Sequence, residues 1–195
     1  MAIPIISDFI EAISIAINPS ANTKASITAS KVAGLYYKSL IIPLLASIIA
    51  VSIFKSLTAP YNFAAIVDAL LFLPLFFLVA YVALHIIGAR IFKYAKEDPS
   101  KTLVSIFYAG SAYVSIQLIW NTIRVVFGIT NSTIFLVSEA IIYIWFVLIL
   151  TMAYSNQQKI SKKKAFYAVL TAGILFAVLI AILWGLFSSF AHIVI

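Results

Sequence analysis

Residues 131–150 read NSTIFLVSEAIIYIWFVLIL, an apolar run broken by one charged residue, Glu139. Extended through TMAY at 151–154, it exceeds the roughly 20 apolar residues that a helix needs to cross a hydrocarbon layer. The fold turns on whether this is a membrane span. The function turns on what a carboxyl does inside it.

The rest of the chain answers the first question. Its 195 residues are 64% hydrophobic and 10% charged, with a mean hydropathy of +1.14. A soluble domain is nearer half apolar and a quarter charged, and no soluble core of this length hides so much apolar surface. The expected class is an all-α, polytopic integral membrane protein. A net charge of +7 resembles that of a nucleic-acid binder. The basic residues lie between apolar runs, however, so they speak for membrane orientation and against a nucleic-acid partner. Cysteine is absent, so nothing points to a disulfide or a thiolate-bound metal. The N-terminus carries Asp8 and Glu11 before any basic residue and does not read as a cleavable signal peptide.

Five spans are expected, at about 36–54, 68–88, 102–123, 133–154 and 165–187, with residues 1–34 forming a cytoplasmic juxtamembrane segment and 35–195 the bundle. Charges and turn residues set these bounds, because helices that are apolar all round have little periodicity. Of the thirteen basic residues, eleven sort to one side: Lys24, Lys31 and Lys38; Arg90, Lys93, Lys96 and Lys101; Lys159, Lys162, Lys163 and Lys164. Lys55 and Arg124 fall on the other. The positive-inside rule then places the N-terminus in the cytoplasm and the C-terminus outside. A multi-pass protein of a prokaryotic plasma membrane is expected, with the basic loops holding anionic lipid headgroups. Trp120 and Trp184 fall near the outer boundary, where amphipathic rings are favoured.

Ahead of the spans, Ile6, Phe9, Ile10, Ile13 and Ile17 form a helical stripe opposite Ser7, Asp8, Glu11 and Ser14. Asn18-Pro19 should end that helix. An acidic polar face disfavours plain lipid binding, so the helix is expected to cap the bundle or to receive a partner protein.

Three segments resemble one family: IAINPSANTKASI at 15–27, ALHIIGARIFKYAKEDPSKTLVSIFYAGSAYV at 83–114 and IWFVLILTMAYSNQQKISKKKAFYAVL at 144–170. The matching positions are Asn18 and Pro19; Leu84, His85, Phe92, Tyr108, Ala109 and Gly110; and Trp145, Leu150, Ile160, Ser161, Lys164 and Ala165. The pattern is similar to that of the Yip-domain family, named for interaction with Ypt/Rab GTPases, in its short prokaryotic form. The resemblance implies a cytoplasmic N-terminus, five spans and a membrane-organising or trafficking-related role. The chain departs from the pattern at Ala112, where the family carries proline.

No catalytic constellation is present. The chain lacks G-x-S-x-G, H-E-x-x-H, a P-loop and a dinucleotide fingerprint. His85 and His192 are expected near opposite faces, so neither a metal nor a cofactor is expected. Asn131 opens an N-S-T sequon too close to a span to be used. Gly173, Ala177, Ala181 and Gly185 recur every four residues, and Ser105, Ala109 and Ala112 form a similar face. Such small-residue stripes pack helices within a bundle or across a homodimer seam. Pro43 and Pro74 can kink the first two spans.

Glu139 remains, about 9 Å below its boundary at 1.5 Å per residue. The carboxyl is expected either to pair with Arg124 or to be protonated against Ser or Tyr neighbours. The alternative is a proton or cation site shared with Asp68 and His85, since ionisable residues inside a membrane are functional candidates. The first reading makes the protein a scaffold, the second a small channel or transporter.

Overall fold

A computed structural model of the chain describes residues 4–19, 29–39, 70–71, 73–94 and 98–191, with isolated helical positions at 41, 42, 45 and 49. Lys24, Pro43, Lys55, Asp68, Lys96, His192 and most of the first expected span lie outside the described residues. These residues form helices and no strand: α1 (Pro4–Ile17), α2 (Ala29–Ser39), α3 (Leu73–His85) continued by a π-helical segment (Ile86–Ile91), α4 (Pro99–Phe127), α5 (Ser132–Gln158) and α6 (Lys162–Ala191).

Among the described residues, three helical stretches are long and apolar enough to cross a membrane, against five expected: Leu73–Ile91, Pro99–Phe127 and Ser132–Gln158. The fifth expected span falls on α6, whose 30 residues carry no charge after Lys164. α4 and α5 outrun their expected bounds at both ends, because each helix runs on to its capping residues. Asp98 caps α4, accepting from the Ser100 amide at 3.1 Å, and Pro99 opens the first turn. Gly128 closes α4 at φ 60, a left-handed conformation that glycine adopts without strain. Asn131 caps α5, its Oδ1 accepting from the amides of Thr133 at 2.9 Å and Ile134 at 3.2 Å. The sequon asparagine is thus a helix cap. Lys159 ends α5 in the left-handed region at φ 55.

α4 is the central helix. Of its membrane-length window 72% is buried, against 17% for α5, and α1, α2, α3 and α5 all pack on it. Small side chains allow this crowding. Ser105, Ala109 and Ala112 are fully buried, and a β-carbon on Gly110 would meet the Phe77 ring at 2.8 Å.

The N-terminal helices sit differently from the sequence expectation. α1 does not cap the bundle by its isoleucine stripe. Its buried face is Ala12, Ile15 and Ala16, while Ile6, Ile10 and Ile17 are 41%, 60% and 76% exposed. Alanines let the α1 backbone approach α4 closely, and Ile6, Ile10 and Ile17 are turned outward. Trp145 Nε1 of α5 donates to the Ala16 carbonyl at 2.6 Å, and Asp8 pairs with Lys38 of α2 at 3.3 Å. Ile15, Ala16, Val32 and Leu35 belong to the same core as Phe77, Phe107 and Phe146.

Candidate functional site: two polar clusters and an aromatic layer

Antiparallel packing of α4 on α5 brings polar residues together at two levels. Near the Gly128 turn, Gln117 Nε2 donates to Glu139 Oε2 at 2.6 Å. Glu139 thus takes its hydrogen bond from Gln117 and not from the expected Arg124. Arg124 lies two turns further along α4, with its guanidinium 4.3 Å from the centre of the Phe135 ring. Seven residues separate Gln117 from Arg124 and four separate Glu139 from Phe135, so register sets the pairing. An antiparallel pair that seats Gln117 on Glu139 puts the arginine two turns nearer the hairpin, beyond Glu139. Glu139 Oε1, Gln117 Oε1 and Trp120 Nε1 are buried without a hydrogen-bond partner.

The second cluster lies about 22 Å away along α4, where helices rise 1.5 Å per residue. Here α3, α4 and α5 converge. Gln158 Nε2 donates to Thr102 Oγ1 at 3.1 Å, and His85 Nδ1 lies 3.5 Å from the same oxygen, at the outer limit of a hydrogen bond. Tyr81 stacks on His85 at 6.0 Å. The Tyr154 hydroxyl faces Thr102 and Gly88 without a hydrogen bond of good geometry, and Thr151 Oγ1 and Gln158 Oε1 are likewise buried and unpartnered. The π-helical segment makes room here, since the Phe92 amide reaches the Ile87 carbonyl at 2.8 Å and the extra residue per turn sets Gly88 against Tyr154. Sequence reasoning singled out His85 but missed Thr102, Tyr154 and Gln158. The available signal was the spacing of Thr151, Tyr154 and Gln158, which puts them on one face of α5.

Between the two clusters lies a layer of rings. Phe146 packs at 5.2 Å from Tyr113 and 5.7 Å from Phe77. Phe77 in turn lies 6.0 Å from Tyr36 and 6.5 Å from Phe107.

The basic residues gather beyond the second cluster. Arg90, Lys93, Lys159, Lys162, Lys163 and Lys164 are exposed, and Lys164 Nζ lies 5.3 Å over the Tyr94 ring. Lys101 pairs with Asp98 at 3.3 Å. The Ser100 hydroxyl, donating to Asp98 at 2.6 Å, together with the nearby Lys101, holds that carboxyl below its ordinary value. Among the described residues no three of His, Cys, Asp and Glu come together as a metal site. On α6, Ala177 and Ala181 are exposed and Gly173 is partly buried. The side chain at position 185 lies outside the described residues.

The positions that carry the Yip likeness are packing and capping positions. Leu84, Tyr108, Ala109, Leu150 and Ala165 are buried. Gly110 abuts Phe77, Trp145 holds α1, and Ser161 Oγ accepts from the Lys164 amide at 3.4 Å at the start of α6. No protein-family model, no curated protein and no solved structure matches the chain.

Proposed function

We propose that the chain is a five-span integral membrane protein of a prokaryotic plasma membrane, N-terminus inside and C-terminus outside, that acts without enzymatic chemistry as a membrane-organising or partner-binding scaffold. The role is the one that the likeness to the Yip family implies. Two features support placement in lipid. Ile6, Ile10 and Ile17 of α1 face outward, and outward-facing isoleucines are stable in hydrocarbon but costly in water. α5 likewise turns Leu136, Val137, Ile141 and Ile144 outward.

The aromatic layer carries the scaffold reading. A conduction path needs polar or hydrated contact across the bundle, and the Tyr36–Phe77–Phe107–Tyr113–Phe146 rings fill the level between the two polar clusters. The basic end then recruits anionic headgroups or a protein partner, and exposed Ala177 and Ala181 offer a seam to a second copy of the chain.

The second reading, a transporter for protons or cations, draws on the unpartnered Glu139 and Gln117 oxygens. Reconstitution into liposomes with an internal pH dye and an imposed proton, sodium or potassium gradient separates the two. The scaffold gives no flux above empty liposomes. Flux that vanishes in Glu139→Gln overturns it.

A further inference from the structure

We propose that this protein holds one anionic phospholipid of the cytoplasmic leaflet in a cleft between α3, α5 and α6, with the headgroup phosphate on the lysines that open α6. The inference rests on the inside placement of the basic end and adds a defined site to it.

The cleft is apolar and open on one side, lined by Ala80 and Leu84 of α3, Leu150 of α5, and Val169, Ala172 and Gly173 of α6. Gly173 leaves space: a β-carbon there would meet nothing within 4 Å. The far end is closed by the Phe76 and Phe176 rings, 4.6 Å apart and edge to face.

The near end is cationic. Lys162 stands on the same helical stripe as the cleft residues, seven before Val169 and eleven before Gly173. Eleven residues rise about 16 Å, close to the half-thickness of a hydrocarbon core about 30 Å deep. An acyl chain in the cleft therefore puts its phosphate at the level of Lys162, Lys163 and Lys164. Arg90 lies in the last turn of the π-helical segment that packs on α6, and Lys93 follows it; Tyr94, Phe166 and Tyr167 lie at the same level, as rings at a lipid interface do.

The lysines are poorly placed without an anion. Three positive side chains in a first turn that has no acidic residue oppose the positive end of the helix dipole. Among the described residues no carboxylate pairs with them; the ion pairs there belong to Lys38 and Lys101. A phosphodiester supplies the missing charge, and its chains fill the cleft beneath.

The test is native mass spectrometry of the full chain, released from detergent and titrated with phosphatidylglycerol or phosphatidylcholine. One tightly held phosphatidylglycerol per chain is expected, preferred over phosphatidylcholine by tenfold or more. Replacing Lys162, Lys163 and Lys164 together with Gln removes the preference, at about fivefold per lysine. Gly173→Leu displaces the lipid, and the open space at that position lets the variant fold. Equal retention of both lipids, or an unchanged bound lipid in Gly173→Leu, overturns the site. Orientation is read separately by thiol labelling of Lys163→Cys in intact cells, in a chain without other cysteines. Labelling from outside overturns the inside placement and the choice of leaflet, whatever the titration gives.

Discussion

The hydroxyl of Tyr154 on α5 occupies the space that a β-carbon on residue 88 would need, so Gly88 and Tyr154 interlock where the π-helical segment meets α5. The contact also involves Cζ at 3.0 Å, so the whole ring tip must move if a side chain is introduced. Gly88→Ala is expected to destabilise the fold by about 1–3 kcal/mol, the usual cost of overpacking a tight interior. Adding Tyr154→Phe to Gly88→Ala removes the worst overlap and should recover part of the loss. Thermal unfolding of the three variants in one detergent measures this. Equal stability of Gly88→Ala and wild type would contradict the interlock.

The bond between Gln117 and Glu139 predicts a coupling that the alternative pairing does not. Gln117→Leu strips a buried carboxyl of its donor and should cost about 1–3 kcal/mol. Changing Glu139 to Leu as well removes the stranded group, and most of that cost should return. A cycle that pairs Arg124→Leu with Glu139→Leu should instead be additive to within about 0.5 kcal/mol. Denaturation of both cycles in mixed micelles reads the difference.

Acid should loosen the start of α4. The Ser100 hydroxyl and Lys101 hold the Asp98 carboxyl below its ordinary value, so the folded form binds a proton less readily than the unfolded chain does. The stabilisation is therefore present above the unfolded carboxyl's pKa and is lost as the pH falls through the lower folded one. Asp98→Asn keeps a capping oxygen but cannot titrate. Melting curves against pH should show an acid loss in wild type that is smaller in Asp98→Asn.

Trp145 holds α1 through one hydrogen bond to Ala16. Trp145→Phe keeps a ring but removes the donor, at an expected cost of about 0.5–1.5 kcal/mol. The effect should be local. Hydrogen exchange of the amides in Pro4–Ile17 should quicken while those of α4 change little. Uniform quickening of both helices would place the role of Trp145 elsewhere.

The helices that could be read in the sequence were those with punctuation. Asp98-Pro99, Gly128 and Asn131 each mark an end by capping chemistry, so α4 and the start of α5 follow from residues alone. What could not be read was which side of each helix faces the protein. In a soluble helix the apolar stripe points inward, and that rule turns the stripe of Ile6, Phe9, Ile10, Ile13 and Ile17 toward the bundle or a partner protein. The buried side is instead Ala12, Ile15 and Ala16, where the two alanines let the α1 backbone pack closely on α4. Partner choice was hidden for a related reason. Arg124 and Gln117 lie on one face of α4, and charge alone favoured the arginine. The α4–α5 register, which no single residue announces, brought the amide to Glu139. The second polar cluster draws on residues 85, 102, 154 and 158 from three helices, and only the assembled bundle reveals it.

The separation of 129 positions between Ala16 and Trp145 also bears on how the chain is made. The seat of the first helix is incomplete until α5 has emerged from the ribosome. At 5–20 residues per second, the hydrogen bond from Trp145 waits roughly 6–26 s after Ala16 is made. Its alanine-lined face has α2 and α4 to pack against in that interval, so only the contact with α5 is left open. The helix thus finds its main packing early, and the indole of Trp145 is the last contact to close on it.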